Sequence, residues 1–307
     1  MCLSFLLGMY YVKFSARHHI TALLEFLWQL PVHKARLLTI AADFGAQSLF
    51  TRFANVLAND LIFLLDSAIK ELTEIRAMQV AMEDEHTWAA QTQQVQQERQ
   101  RAYAQSEQGA TSCLQLANAT VHLLHYLSAE VVAPFVTPEF VQRMAHMLDY
   151  YICQLVDSKI KELRVRDPDK YSFRPRELLQ EIISTWINLA TDEKFLECVA
   201  TDERSVKPSD RGSVGKCVWS VWRLNCRRCL SVRFFSSYRP AVFAKAARIL
   251  RKRAILAESS IRRFEDLTRT LAALSESMQD LEAILGEIPD EFQDQLMGVL
   301  MTVRHTH

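Results

Sequence analysis

Between Ser48 and about Met78 the apolar side chains Phe53, Leu57, Leu61, Leu64, Leu65, Ala68, Leu72 and Ile75 return every three or four residues. That repeat is one face of an α-helix. A stripe this long leaves few options, because a strand would alternate and a loop would carry polar turn residues. Only 7 glycines and 8 prolines are spread over 307 residues, too few turn formers for a hairpin-rich sheet. Helices must carry the fold.

Further stripes follow. From about Met82 to Gln108 good helix formers occur without an apolar face, which predicts a solvent-exposed helix or a loose linker. Leu114, Ala117, Val121, Leu124 and Ser128 then lead toward Val131, and Pro134 ends that helix. Thr137, Pro138 and Glu139 read as a cap, a first helical residue and a favourable charge, with Phe140, Met144, Met147, Leu148, Tyr151 and Leu155 facing inward. Pro175 opens a helix with Leu178, Leu179, Ile182, Ile183 and Trp186 on its core side, and a short helix lies around Phe195 to Val199. Pro240 opens another, with Phe243, Ala247, Leu250 and Ile255 buried. The last stripe is Ile261, Phe264, Leu267, Leu271, Leu274, Met278, Leu281 and Leu285, with Gly286 and Pro289 as stop signals. The expected fold is all-α, a superhelical array or irregular bundle of antiparallel helices of armadillo-like kind, though no repeat of fixed period is present.

The 49% hydrophobic content supplies one large core or two ordinary ones, and a formal net charge of zero writes no general attraction to nucleic acid or anionic membrane into the totals. The apolar run Met1 to Val12 lacks a basic flank and a cleavage site and is too short to span a bilayer, so it reads as an interrupted core helix. No later window offers a membrane span. Seven scattered cysteines fit a reducing compartment better than a disulfide framework.

Local signatures of chemistry are sparse. His122 and His125 lie three apart on one helix face near His146, but no carboxylate or cysteine joins them at ligand spacing, which favours a surface or core role. Cys226 and Cys229 form a C-x-x-C with Cys217 nearby, one ligand short of a structural zinc site. Gly212 to Lys216 departs from a phosphate loop at Asp210 and Cys217. No nucleophile elbow or dinucleotide turn occurs, so neither a catalytic residue nor a cofactor or metal is expected.

Three stretches stand out, in order. The first is Phe53-Ala-Asn55-Val-Leu57-Ala-Asn59-Asp60, continuing to Leu64-Leu65-Asp66. Asn55, Asn59, Asp60 and Asp66 are candidate contacts there, against the plainer reading of hydrogen bonding between packed helices. The second is Asp167-Pro168-Asp-Lys-Tyr171-Ser-Phe173-Arg-Pro175, which reads as a turn. The third is Glu287-Ile288-Pro289-Asp290-Glu291-Phe292 with Asp294, Leu296, Met297, Leu300 and Met301. Together the three resemble the ubiquitin conjugation factors of the U-box, chain-elongating type, in which the third looks like the start of the U-box. The family pattern would have proline at Gln295 and run on past Met301, so the U-box is expected to be incomplete here.

The implied organisation is a helical core over 1–205, its end over 238–286 and an incomplete U-box start over 287–307. Between them lie 206–237, with seven Lys or Arg against Asp210 alone, three cysteines, and Trp219 and Trp222. This insert reads either as a translated intron forming a loop or as a basic, aromatic patch for nucleic acid or phospholipid.

The resemblance implies elongation of ubiquitin chains on already ubiquitinated substrates for proteasomal degradation, in cytoplasm and nucleus. The implied partners are a ubiquitin-charged conjugating enzyme and an AAA-type segregase ATPase. Leu296, with Ile288 and Phe292, would contact the conjugating enzyme, or pack the U-box core. The competing reading is a non-enzymatic helical adaptor.

Overall fold

The computed structural model describes residues 16–43, 45, 47–200 and 238–286, and among them helices and short 3-10 turns are the regular structure. The order is α1 (Arg17–Trp28), α2 (Pro31–Ala41), α3 (Leu49–Glu83), α4 (Glu85–Ala89), α5 (Gln93–Glu130), α6 (Val141–Val156), α7 (Pro175–Leu189), α8 (Glu193–Ala200), α9 (Pro240–Lys252) and α10 (Glu258–Gly286). None of the helices described is long and apolar enough to cross a membrane. The all-α expectation holds. The Met1 to Val12 run, the insert with Cys217, Cys226 and Cys229, and the stretch with Ile288, Phe292 and Leu296 lie outside what is described, and of Met278, Leu281 and Leu285 the helical backbone is described but not the burial of their side chains.

The Ser48 hydroxyl caps α3, accepting from the Thr51 amide at 3.1 Å. Its predicted stripe is buried from Phe53 to Ile75, and it runs against α5 as the longest helix pairing of the fold. The polar stretch resolves into helix, interrupted at Asp84 and again at residues 90–92 on either side of α4. Asp84 leaves the helical region with ψ at 81°, Thr92 restarts the chain, and α5 continues unbroken into the Leu114 stripe. The Gln96 side chain closes the corner by donating to the Trp88 carbonyl at 2.8 Å.

Two boundaries differ from expectation. The helix expected from Pro138 begins at Val141, because residues 137–140 make a separate turn in which the Thr137 carbonyl accepts from the amides of Phe140 and Val141. The helix from Pro240 stops at Lys252, where Ala254 takes a left-handed φ of 49° and the Ile255 amide reaches back to the Leu250 carbonyl at 3.0 Å. That is the helix stop usually marked by glycine. Ile255 is therefore beyond the helix, half-buried.

The remaining helices converge on α7. Trp186 is fully buried, with ring centroids 5.9 Å from Phe195 of α8, 5.7 Å from Phe243 of α9 and 5.4 Å from Phe264 of α10. These are edge-on contacts, the geometry that aromatic quadrupoles prefer. Its indole N–H donates to Asp149 Oδ1 of α6 at 2.9 Å. After the insert the chain rejoins this core at Tyr238, buried against Phe243, while Arg239 pairs with Asp157 at 2.8 Å. Replacing Trp186 with Ala is expected to cost about 3–5 kcal/mol, read from the midpoint of urea unfolding. A loss below about 1 kcal/mol would show that α8, α9 and α10 do not depend on this contact.

Candidate functional site

The polar motif residues of α3 sit where it meets α1 and α6. Asp60 is buried and ion-paired with Arg17 of α1. Arg143 of α6 donates to Asn55 Oδ1 and, at 3.1 Å, to Asn59 Oδ1, with its guanidinium 4.5 Å from the centre of the Phe140 ring. Asn55 also donates to the Thr51 carbonyl at 3.0 Å. One planar fork thus reaches two amide oxygens a helical turn apart, which a lysine ammonium cannot match in shape. Burial lowers the Arg143 pKa to about 10, which still leaves it charged at neutral pH. Two turns further on, the Tyr151 hydroxyl lies 2.9 Å from Asp66 Oδ1 and 3.0 Å from the Ile62 carbonyl, and burial outweighs that hydroxyl to raise the Asp66 pKa. All four candidate residues of this motif bond within the chain, and Asn59 alone is exposed.

The second motif closes the far end of the α3–α5 pair. The Asp167 carboxylate accepts from the Lys170 amide at 3.3 Å, and the Pro168 carbonyl accepts from the amides of Tyr171 and Phe173. Tyr171 and Phe173 are buried with Leu72, Ile75, Ala110 and Leu114 in a small second core. Ser172 between them takes a left-handed φ of 57°, and Asn118 of α5 holds its carbonyl with a 2.9 Å hydrogen bond. Glu107 of α5 accepts from the Tyr171 hydroxyl and, at 2.6 Å, from Lys170. Burial opposes the Glu107 charge, but the hydrogen bonds from Lys170, Tyr171 and Tyr103 outweigh it and hold the carboxyl below its ordinary value. Pro175 then starts α7. This stretch positions helices.

A third cluster assembles only in three dimensions. The carboxylate that local spacing denies to His122 and His125 is supplied by α7, whose Glu181 places Oε1 2.6 Å from His122 Nδ1. Glu25 of α1 stands 3.4 Å from the other ring nitrogen. Burial and the neighbouring His122 depress the His125 pKa, while burial raises that of Glu181 despite its bond to His122. Residues 59 positions apart leave no local signal of such a grouping.

The family model of the ubiquitin elongating factor core matches residues 8–210. The chain belongs to that family. As a ubiquitin elongating factor core, it is 36% identical over 295 residues to the probable ubiquitin conjugation factor E4 of Arabidopsis thaliana, covering 95% of this chain and 25% of the relative. It is 30% identical over 298 residues to the E4 ubiquitin-protein ligase UFD2 of Saccharomyces cerevisiae, covering 95% and 27%. It thus spans about a quarter of the length of the curated relatives it matches. In this ubiquitin elongating factor core, both helical motifs named from the sequence lie within the matched span, and the described part of each is tied into the packing of α3, α5, α6 and α7.

Two variants probe these networks. Arg143→Ala strands two amide oxygens, with an expected loss of about 1–3 kcal/mol, and Arg143→Lys should recover less than half of it in the same unfolding assay. Asp149 is the second test, because burial lifts its pKa to about 8 against the Trp186 hydrogen bond that lowers it. Above the unfolded carboxyl value and up to about pH 8 the folded state then holds a proton that the unfolded state has lost. Stability therefore falls as pH rises through that window. Asp149→Asn keeps an acceptor for the indole and should flatten the pH 5–8 slope, making the variant the more stable form at pH 8. Identical slopes in variant and parent would refute a protonated Asp149.

Proposed function

We propose that this chain is the helical scaffold of a ubiquitin chain-elongating factor, acting on substrates that already carry ubiquitin. Family membership supports the class, and the relatives named as ubiquitin conjugation factors and a ubiquitin-protein ligase support the chemistry. One observation bears on how it works. A covalent ubiquitin carrier needs a cysteine whose thiolate is favoured. Cys113, Cys153 and Cys198 form no disulfide, and burial is the largest influence on each, pushing all three thiols above their ordinary pKa. None of these described thiols is primed for transfer. What this region offers is positioning, in which an acceptor lysine and a charged conjugating enzyme are held close enough that attack becomes effectively intramolecular.

In this reading the conjugating enzyme docks on a complete U-box, through Leu296 with Ile288 and Phe292, and the helical core holds a segregase ATPase and the ubiquitinated substrate. The setting is proteasomal degradation in cytoplasm and nucleus. A second reading, a non-enzymatic adaptor, draws on the corner between α1 and α2, where Phe26 is 58% and Val32 78% exposed beside Leu23 and Leu30. Such a patch of large apolar side chains is the kind of surface a partner covers.

A reconstituted assay separates the two. With charged conjugating enzyme and a monoubiquitinated substrate, the 307-residue chain is expected to add no ubiquitin, and the same chain fused to a complete U-box is expected to build chains. Extension by the unfused chain would overturn the division of labour proposed here. Failure of the fused chain would favour the adaptor.

A further inference from the structure

His122 and His125 stand one turn apart on α5, ring centroids 6.4 Å from each other, where that helix passes α1 and α7. His122 is bracketed by two carboxylates, Glu181 at 2.6 Å from Nδ1 and Glu25 at 3.4 Å from Nε2. A neutral imidazole has one N–H, so it can donate to one of these carboxylates and must turn a lone pair toward the other. Beside it, Nδ1 of His125 is buried without a hydrogen-bond partner, a state that folded proteins rarely leave uncompensated. A divalent cation would satisfy that nitrogen, because it accepts the lone pairs of imidazoles and neutralises a carboxylate at once.

We propose that His122, His125 and Glu181 bind one late first-row transition ion, Zn2+ in the cell, with Glu25 as the outer carboxylate that orients the His122 ring. One ligand atom from each of the three lies within 4.8 Å of the other two. Nitrogen and oxygen ligands at about 2.0–2.2 Å from tetrahedral zinc stand about 3.4 Å apart, so on binding the His122–Glu181 pair would open from 2.6 Å while any wider spacing in the triad, at most 4.8 Å, would close. Two imidazoles with one carboxylate suit zinc and its neighbours, whereas magnesium and calcium prefer oxygen throughout. A hydrogen bond from Nε2 to Glu25 selects the tautomer that frees Nδ1 for the metal, the usual role of a carboxylate behind a metal-bound histidine. A groove of about 180 Å³, lined by Asn118, His122, Arg174 and Glu181 among others, reaches the cluster and has room for water as a remaining ligand. Arg174, the cation on that wall, is paired with Glu177 at 3.2 Å. Bound metal would cross-link α5 to α7 and, through Glu25, draw in α1.

The test is titration of the full reduced chain with Co2+, read by visible absorption, followed by displacement with Zn2+. The expected result is one equivalent bound with nitrogen and oxygen ligation and no thiolate charge-transfer band, and a thermal midpoint raised by Zn2+. Glu181→Gln and His125→Ala should each weaken binding at least about tenfold, the loss seen even for outer-shell partners. The Cys226→Ser, Cys229→Ser double variant should bind as the parent does, which separates this site from the C-x-x-C. The glutamine variant preserves side-chain size, so its fold is retained and its circular dichroism serves as the check. Undiminished Co2+ binding by Glu181→Gln, loss of binding in the cysteine variant, or no binding at micromolar Co2+ would overturn the proposal.

Discussion

The indole of Trp186 has to meet two demands that pull against each other, since its large apolar surface favours complete burial and its one N–H cannot be buried unpaired. Asp149 resolves the conflict from α6, and the rings of Phe195, Phe243 and Phe264 fill the space around the indole from α8, α9 and α10. Five helices are thereby referenced to a single side chain. The cost falls on Asp149, whose pKa burial pushes up to about 8 because a charge there would have little water around it. The chain on the far side of the insert belongs to the same core, as Tyr238 and Phe243 pack within it.

A different principle organises the other end. The paired helices α3 and α5 extend beyond the main core, and there the small cluster of Leu72, Ile75, Ala110 and Leu114 is capped by Tyr171 and Phe173. Apolar burial in such a cluster is modest, so polar links complete it: Arg166 donates from its backbone to Gln79 at 2.9 Å, and Lys170 reaches Glu107. The asparagine and aspartate motif of α3 works similarly toward α1 and α6. Removing one member of the buried Arg17–Asp60 pair would leave a charge without its counterion, which is why such residues are hard to exchange singly. Family motifs of this type therefore report helix placement.

That placement fits the part a chain-elongation scaffold would play. Positioning catalysis needs rigid separation between docking points more than reactive groups, and of the described cysteines Cys153 is buried while Cys113 and Cys198 are half-buried, each with its thiol pKa raised. The metal site proposed at His122, His125 and Glu181 would add a fastening where α5 passes α1 and α7.

Periodicity alone determined much of this protein. The faces of α3, α6 and α7 were legible because their apolar residues recur at helical spacing, and Pro175 and Pro240 mark true starts because proline loses nothing at a first helical position. The resemblance of three short stretches was enough to name the family. Other features had no local cause to read. Asp84 breaks a run of good helix formers without glycine or proline, Ala254 ends α9 in a backbone region that glycine would normally advertise, and the turn before Val141 displaces a well-formed cap signal. Partners were the least visible, since Arg143 meets Asn55, Trp186 meets Asp149 and Glu181 meets His122 only after helices distant in sequence have packed. Sequence thus set which faces are apolar, because that is written residue by residue; the fold decided which polar groups those faces bring together, because pairing depends on the register between helices.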